Sequence, residues 1–106
     1  MQSLTALADP TRRRIVELLA QHDRTTGELV AQFDVSAPAI SQHLGVLREA
    51  GLVTTRVAGQ HRIHTLDSTG LDEVDAWLER TRAFWSHRLD ALERELRADD
   101  QRKRKS

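Results

Sequence analysis

The sequence predicts a mainly α-helical domain with one small β-hairpin and a long C-terminal helix. Three observations carry this. Between Leu4 and Leu47 apolar residues fall in four successive segments with three-to-four spacing. The spacing then turns strand-like on either side of Ala58-Gly59-Gln60. From residue 69 a helical stripe returns and holds to about residue 98 with no proline. At 106 residues the chain is long enough for one modest core and too short for two domains.

Taken in order, Leu4 and Leu7 predict a short first helix. Asp9-Pro10 follows as an N-cap and a first-turn proline, opening a helix whose stripe is Ile15, Leu18 and Leu19 and which ends near Gln21. Thr25-Thr26-Gly27-Glu28 has the spacing of a capping box. The short helix it opens turns Leu29, Val30 and Phe33 inward and stops at Asp34-Val35. Ser36 caps the next helix, Pro38 sits in its first turn, and Gly51 supplies the left-handed residue just beyond its end. Two helices about three residues apart, the second capped by serine, form a helix-turn-helix pattern. Leu52 to Val57 and His61 to Leu66 then read as a hairpin, so the fold predicted is a winged helix-turn-helix. Residues 1–98 constitute this domain, and 99–106 read as a disordered polar tail.

The long helix has Leu71, Val74, Leu78, Phe84, Trp85, Leu89, Leu92 and Leu96 on its stripe, with Trp77 beside it. About 28 residues of helix span ~42 Å, more than a domain of this size covers with its own core. Trp77, Leu78, Phe84, Trp85, Leu89 and Leu92 are therefore expected at a homodimer interface, with Leu4 and Leu7 of the first helix contributing. The alternative is a helix folded back onto its own domain.

Several function classes fall away on composition. With no cysteine there is no disulfide, no thiolate zinc site and no cysteine nucleophile. No apolar run reaches the ~20 residues of a membrane helix. Met1-Gln2-Ser3-Leu4 lacks the features of a signal peptide, so a cytoplasmic protein with no membrane partner is expected. The patterns of zinc proteases, serine hydrolases and P-loop proteins are missing, and no enzyme is expected.

Charge argues less cleanly. Lys+Arg and Asp+Glu balance at 16 each, where a nucleic-acid-binding domain is usually basic. Their distribution is uneven. Residues 1–66 carry seven arginines (12, 13, 14, 24, 48, 56 and 62) against six acids, and four of the five histidines. Residues 67–98 carry eight acids against five arginines.

The helix at 37–50 carries the most informative face. Ile40, Leu44 and Leu47 point one way; Pro38, Gln42 and Gly45 point the other, with Ser41 beside them. A mid-helix glycine costs ~1 kcal/mol relative to alanine, but its bare backbone lets a helix lie deep in a groove. Gln42 can pair with adenine in a bidentate fashion, and Ser41 can bond a base edge or a phosphate. A merely solvated face is the alternative, and the capped helix before it and the wing after it weigh against that. His43 stands at the edge of the apolar seam, where packing between helices and DNA contact are equally open. Around this face Ser36, Arg48 and the wing residues Arg56, Gln60, His61 and Arg62 are expected to meet double-stranded DNA, with the two arginines flanking the wing tip. His61 and His64 fall on opposite faces of a strand and so make no ligand pair, while a transition-metal site shared by histidines of two subunits stays open.

In these residues the chain resembles the ArsR/SmtB family of winged-helix repressors. The segments are ALADPTRRRIVELL (6–19), SAPAISQHLGVLREAGLV (36–53), AGQHRIHTLD (58–67) and VDAWLERTRAFWSHRLDALE (74–93), in family order. Trp77 and Phe84-Trp85 resemble the branch without metal ligands, which includes small autorepressors. The resemblance implies a dimeric repressor on a pseudo-palindromic operator, often released by a signal. It also locates departures. Thr25, Gly27 and Val30 stand where the family's best-known metal site has its cysteines. Aligning a second family site on His87 puts Val74 and Ala76 where its other ligands belong. No metal and no cofactor are expected; a small-molecule or protein effector, a sensor with a site not visible in the sequence, and a protein–protein adaptor are the other readings.

Overall fold

The computed structural model describes residues 1–105, with side chains to 103. Polar caps and glycines set its element boundaries. Met1 precedes α1 (Gln2–Leu7), and Asp9 caps α2 (Pro10–Gln21) by accepting the Arg12 N–H at 3.0 Å. That bond holds the Asp9 carboxyl below the usual carboxylate range, with smaller help from His43 and Arg12. Arg12 in turn donates Nε–H to the Ala6 carbonyl at 2.6 Å, closing the C-terminus of α1. Both halves of the Thr25 capping box form at α3 (Thr26–Val30). Ser36 accepts the Ala39 N–H to open α4 (Ala37–Glu49).

The end of α4 is a Schellman motif. Gly51 has φ 73°, its N–H bonds to the Arg48 carbonyl, and the Leu52 N–H bonds to the Leu47 carbonyl at 2.9 Å. The chain then forms β2 (Val53–Ala58) and β3 (His61–Leu66), joined through Gly59 at φ 63° and Gln60. Asp67 accepts the Thr69 N–H to cap α5 (Ser68–Lys105). Gly70 of α5 donates its N–H to the Gly51 carbonyl at 2.7 Å, and a Cβ there would lie 2.8 Å from the Ala50 and Gly51 oxygens. Only glycine admits so close an approach of the two backbones.

The chain divides into two compact units, Met1–Val74 and Asp75–Ser106. In the first, the core comprises Ala6, Ile15, Leu18, Leu19, Leu29, Ile40, Leu44, Leu47, Ala50, Leu52 and Val53, so every helix before α5 and the root of the hairpin contribute. In the second, Trp77, Leu78, Phe84, Trp85, Leu89, Leu92 and Leu96 are all exposed.

Four details differ from the sequence reading. Residues 99–105, expected as a disordered tail, continue α5, while Ser106 lies outside the described residues. No glycine or proline stops the helix there, and Glu93–Arg97 and Asp99–Lys103 pair one turn apart. A short strand, β1 (Arg24–Thr25), makes the wing a three-stranded antiparallel sheet of order β1-β3-β2. The connection from α3 to α4 is longer than expected, because α3 stops at Val30 and two i→i+3 bonds, to the Leu29 and Val30 carbonyls, tighten the chain after it. On α1 the buried residues are Ser3 and Ala6; Leu4 is half-buried, and Leu7 packs against the core. Leu7 is thus partly committed to its own domain rather than to a partner.

Candidate nucleic-acid interface

On α4 the seam of Ile40, Leu44 and Leu47 is buried. Pro38, Ser41 and Gln42 are exposed, as the helical wheel places them, and so are the N-cap Ser36 and Arg48 in the last turn. Burial of the seam holds the helix to the core, and the cap and Schellman motif fix both ends. The polar face is thereby presented on a rigid element.

His43 has a different position. Its Nδ1 lies 3.4 Å from an Arg12 nitrogen and 3.9 Å from an Asp9 carboxylate oxygen. The ring is half-buried against the start of α2, so packing between helices describes it, and it does not join the exposed set.

The wing separates two residues expected together. A three-residue connection at 58–60 would set Arg56 opposite Arg62. The connection has two residues, Ala58 pairs with His61, and Arg56 faces Ile63 while Arg62 faces Val57. Side chains alternate along a strand, so the two arginines lie on opposite faces of the hairpin. Arg56 shares its face with His61 and reaches Asp23 at 3.9 Å; Arg62 shares its face with Thr55 and His64. Gln60 is exposed in the turn.

The same register assembles a polar chain that the sequence reading missed. Thr55 lies across from His64, and its Oγ1 is 2.9 Å from His64 Nδ1. Thr26 Oγ1 sits 2.8 Å from His64 Nε2 on the other side. Arg48 donates to Thr55 Oγ1 at 3.2 Å. His64 is 1% exposed, and burial lowers its pKa, with Arg48 and Arg62 adding to the effect. Burial thus favours the neutral ring over the charged one. The signal was present in the sequence as a histidine and a threonine related by a two-residue turn.

Among the described residues, no group of three or more His, Asp or Glu could hold a metal ion. Among the described residues, no helix is long and apolar enough to cross a membrane.

A capped helix-turn-helix followed by a sheet wing defines a winged helix-turn-helix protein. Comparison with known proteins narrows this. Residues 9–55 match the family model for bacterial regulatory proteins of the arsR family. An HTH-type transcriptional regulator of Mycobacterium tuberculosis is 50% identical over 84 residues, which are 79% of this chain and 76% of the relative. The transcriptional repressor SdpR of Bacillus subtilis is 37% identical, over 69% of this chain and 81% of its own. Among solved structures, an ArsR-like transcriptional regulator from Rhodococcus superimposes with a TM-score of 0.72 at 32% identity, over 86% of each chain. The chain belongs to the ArsR family and is a DNA-binding transcriptional regulator.

Proposed function

We propose that the protein is a homodimeric repressor that binds a pseudo-palindromic operator through α4 and the wing. The exposed Ser41–Gln42 face, held rigidly by the buried seam beneath it, is the observation that carries this reading. In it, Gln42 and Ser41 read base edges in the major groove, and Ser36 and Pro38 approach the backbone at the start of α4. Arg48 and Arg62 meet phosphates, while Gln60, His61 and Arg56 act at the wing. Each protomer inserts one α4 into successive major grooves about 34 Å apart. SdpR is named as a repressor, which supports repression as the sign of regulation.

The dimer is assigned to α5. Leu78, Trp85 and Leu92 fall every seventh residue, Trp77 and Phe84 lie beside them, and Leu89 and Leu96 continue the stripe. So long an exposed apolar stripe on one helix fits burial by a second copy.

Gln42→Ala tests the reading. On duplexes the protein selects from a randomised pool, it is expected to relax preference at one position per half-site by ~1–3 kcal/mol. Equal losses on selected and random duplexes would show that Gln42 reads no base. Affinity is expected to fall steeply with salt as counterions are released.

A further inference from the structure

We propose that His64 and Thr55 are positioning residues for DNA binding: through Thr55, the buried ring fixes the Arg48 guanidinium between the recognition helix and the wing. The inference rests on the reading of α4 as the DNA-facing helix and assigns work to two residues beneath it.

Arg48 is an exposed residue in the last turn of α4, and an arginine there would ordinarily sample many rotamers. Here one bond restricts it: its Nη1 donates to Thr55 Oγ1 at 3.2 Å, so Thr55 of β2 supplies the anchor.

The anchor is itself directed. Thr55 Oγ1 accepts from Arg48 and carries one hydrogen of its own. His64 Nδ1 lies 2.9 Å away and its Nε2 lies 2.8 Å from Thr26 Oγ1; either neutral tautomer closes both bonds while Thr55 Oγ1 accepts from Arg48. The chain therefore runs from Arg48 through Thr55 and His64 to Thr26, linking α4, β2, β3 and α3. His64 is buried and bonded at both ring nitrogens, which holds the ring in place. A guanidinium held in this way has less freedom to lose when it binds a phosphate. It also ties the angle of the wing to that of α4, since one bond spans the two elements.

Because His64 is buried, replacing it would strain the core as well as the link, so Thr55 takes the test. Thr55→Val keeps shape and strand preference while removing the hydroxyl. Binding is measured by anisotropy of labelled duplexes selected by the protein from a randomised pool, with thermal unfolding of each variant alongside. Thr55→Val is expected to weaken binding about fivefold, the scale of one solvent-exposed hydrogen bond, and Thr55→Ser to restore it to within about twofold. Arg48→Ala is expected to weaken binding further, and the double variant Thr55→Val, Arg48→Ala to bind no worse than Arg48→Ala alone. If both single variants weaken binding but their losses multiply, the DNA-facing assignment of Arg48 stands and the positioning role of Thr55 is overturned. The same holds if Arg48→Ala weakens binding and Thr55→Val does not. If wild-type protein retains no duplex, or Gln42→Ala and Arg48→Ala both bind as wild type, the reading of α4 is what fails.

Discussion

Ile40, Leu44 and Leu47 on α4 and Trp85, Leu89 and Leu92 on α5 follow the same three-to-four spacing. The first trio is at most 1% exposed and the second 51 to 60% exposed. The difference lies in what surrounds each helix. Up to Val74, five short helices or helix starts and a sheet converge, so each apolar stripe meets others and closes a core. From Asp75 onward the unit is one helix, and a single helix has no second surface on which to bury its stripe. Identical periodicity therefore closes a core in one region and leaves an exposed apolar stripe in the other, the stripe that the proposed dimer would bury.

The comparison can be broken most sharply in the first region. Leu44→Ala removes a fully buried side chain and is expected to destabilise the protein by ~2–5 kcal/mol. Denaturant unfolding measures this, with a loss independent of protein concentration within whichever oligomer is populated. A loss below ~1 kcal/mol would mean that the seam is not what holds α4 in place.

Trp85→Ala probes the second region. The variant is expected to weaken self-association by at least ~2 kcal/mol, about thirtyfold, as truncation of a central interface aromatic does. Sedimentation over a concentration series reads it, while the amide hydrogen exchange of the first unit's helices and sheet stays native. An unchanged dimer would remove Trp85 from the interface.

The smallest expected effect is on acid stability, and it belongs to the first unit, which holds His64. Its folded pKa is lowered by burial and by Arg48 and Arg62, so the unfolded chain binds the proton first as pH falls. Its contribution is whole above the ordinary histidine value near 6.5 and is lost as pH falls from there through the depressed folded value. Urea midpoints between pH 8 and pH 5 should show this loss in wild type. A variant with His64→Gln should show less of it, and an identical pH slope in the two proteins would exclude His64 as its source.

Much of the first unit was legible because its signals are local. Asp9-Pro10, the Thr25 box, Ser36 and Gly51 act on backbone groups within four residues of themselves, and each does so where the spacing places it. The exposed positions of Ser41 and Gln42 followed from three buried neighbours on one helix. The hairpin was harder. One residue of turn length separates a wing with paired arginines from one with Arg56 and Arg62 on opposite faces, and composition at 58–60 fits both. The strand Arg24–Thr25 was invisible because two residues carry no period. The end of α5 was misread for a related reason: a polar, charged run reads as tail until its i,i+4 pairs are given a helix to sit on.

By itself, then, the sequence determined the order of the helices, the starts of α2, α3 and α4, the end of α4, the seam that anchors it and the polar face it exposes. These depend on 3.6-residue geometry and on caps, whose reach is one turn. Tertiary structure decided the hairpin register, the turning of His43 toward Asp9 and Arg12, the close passage of Gly70 over Gly51, and the chain from Arg48 to His64. Each of these joins residues distant in sequence or shifted by one place across a ladder. Their partners are set by where the closed core brings the backbone, which no local spacing encodes.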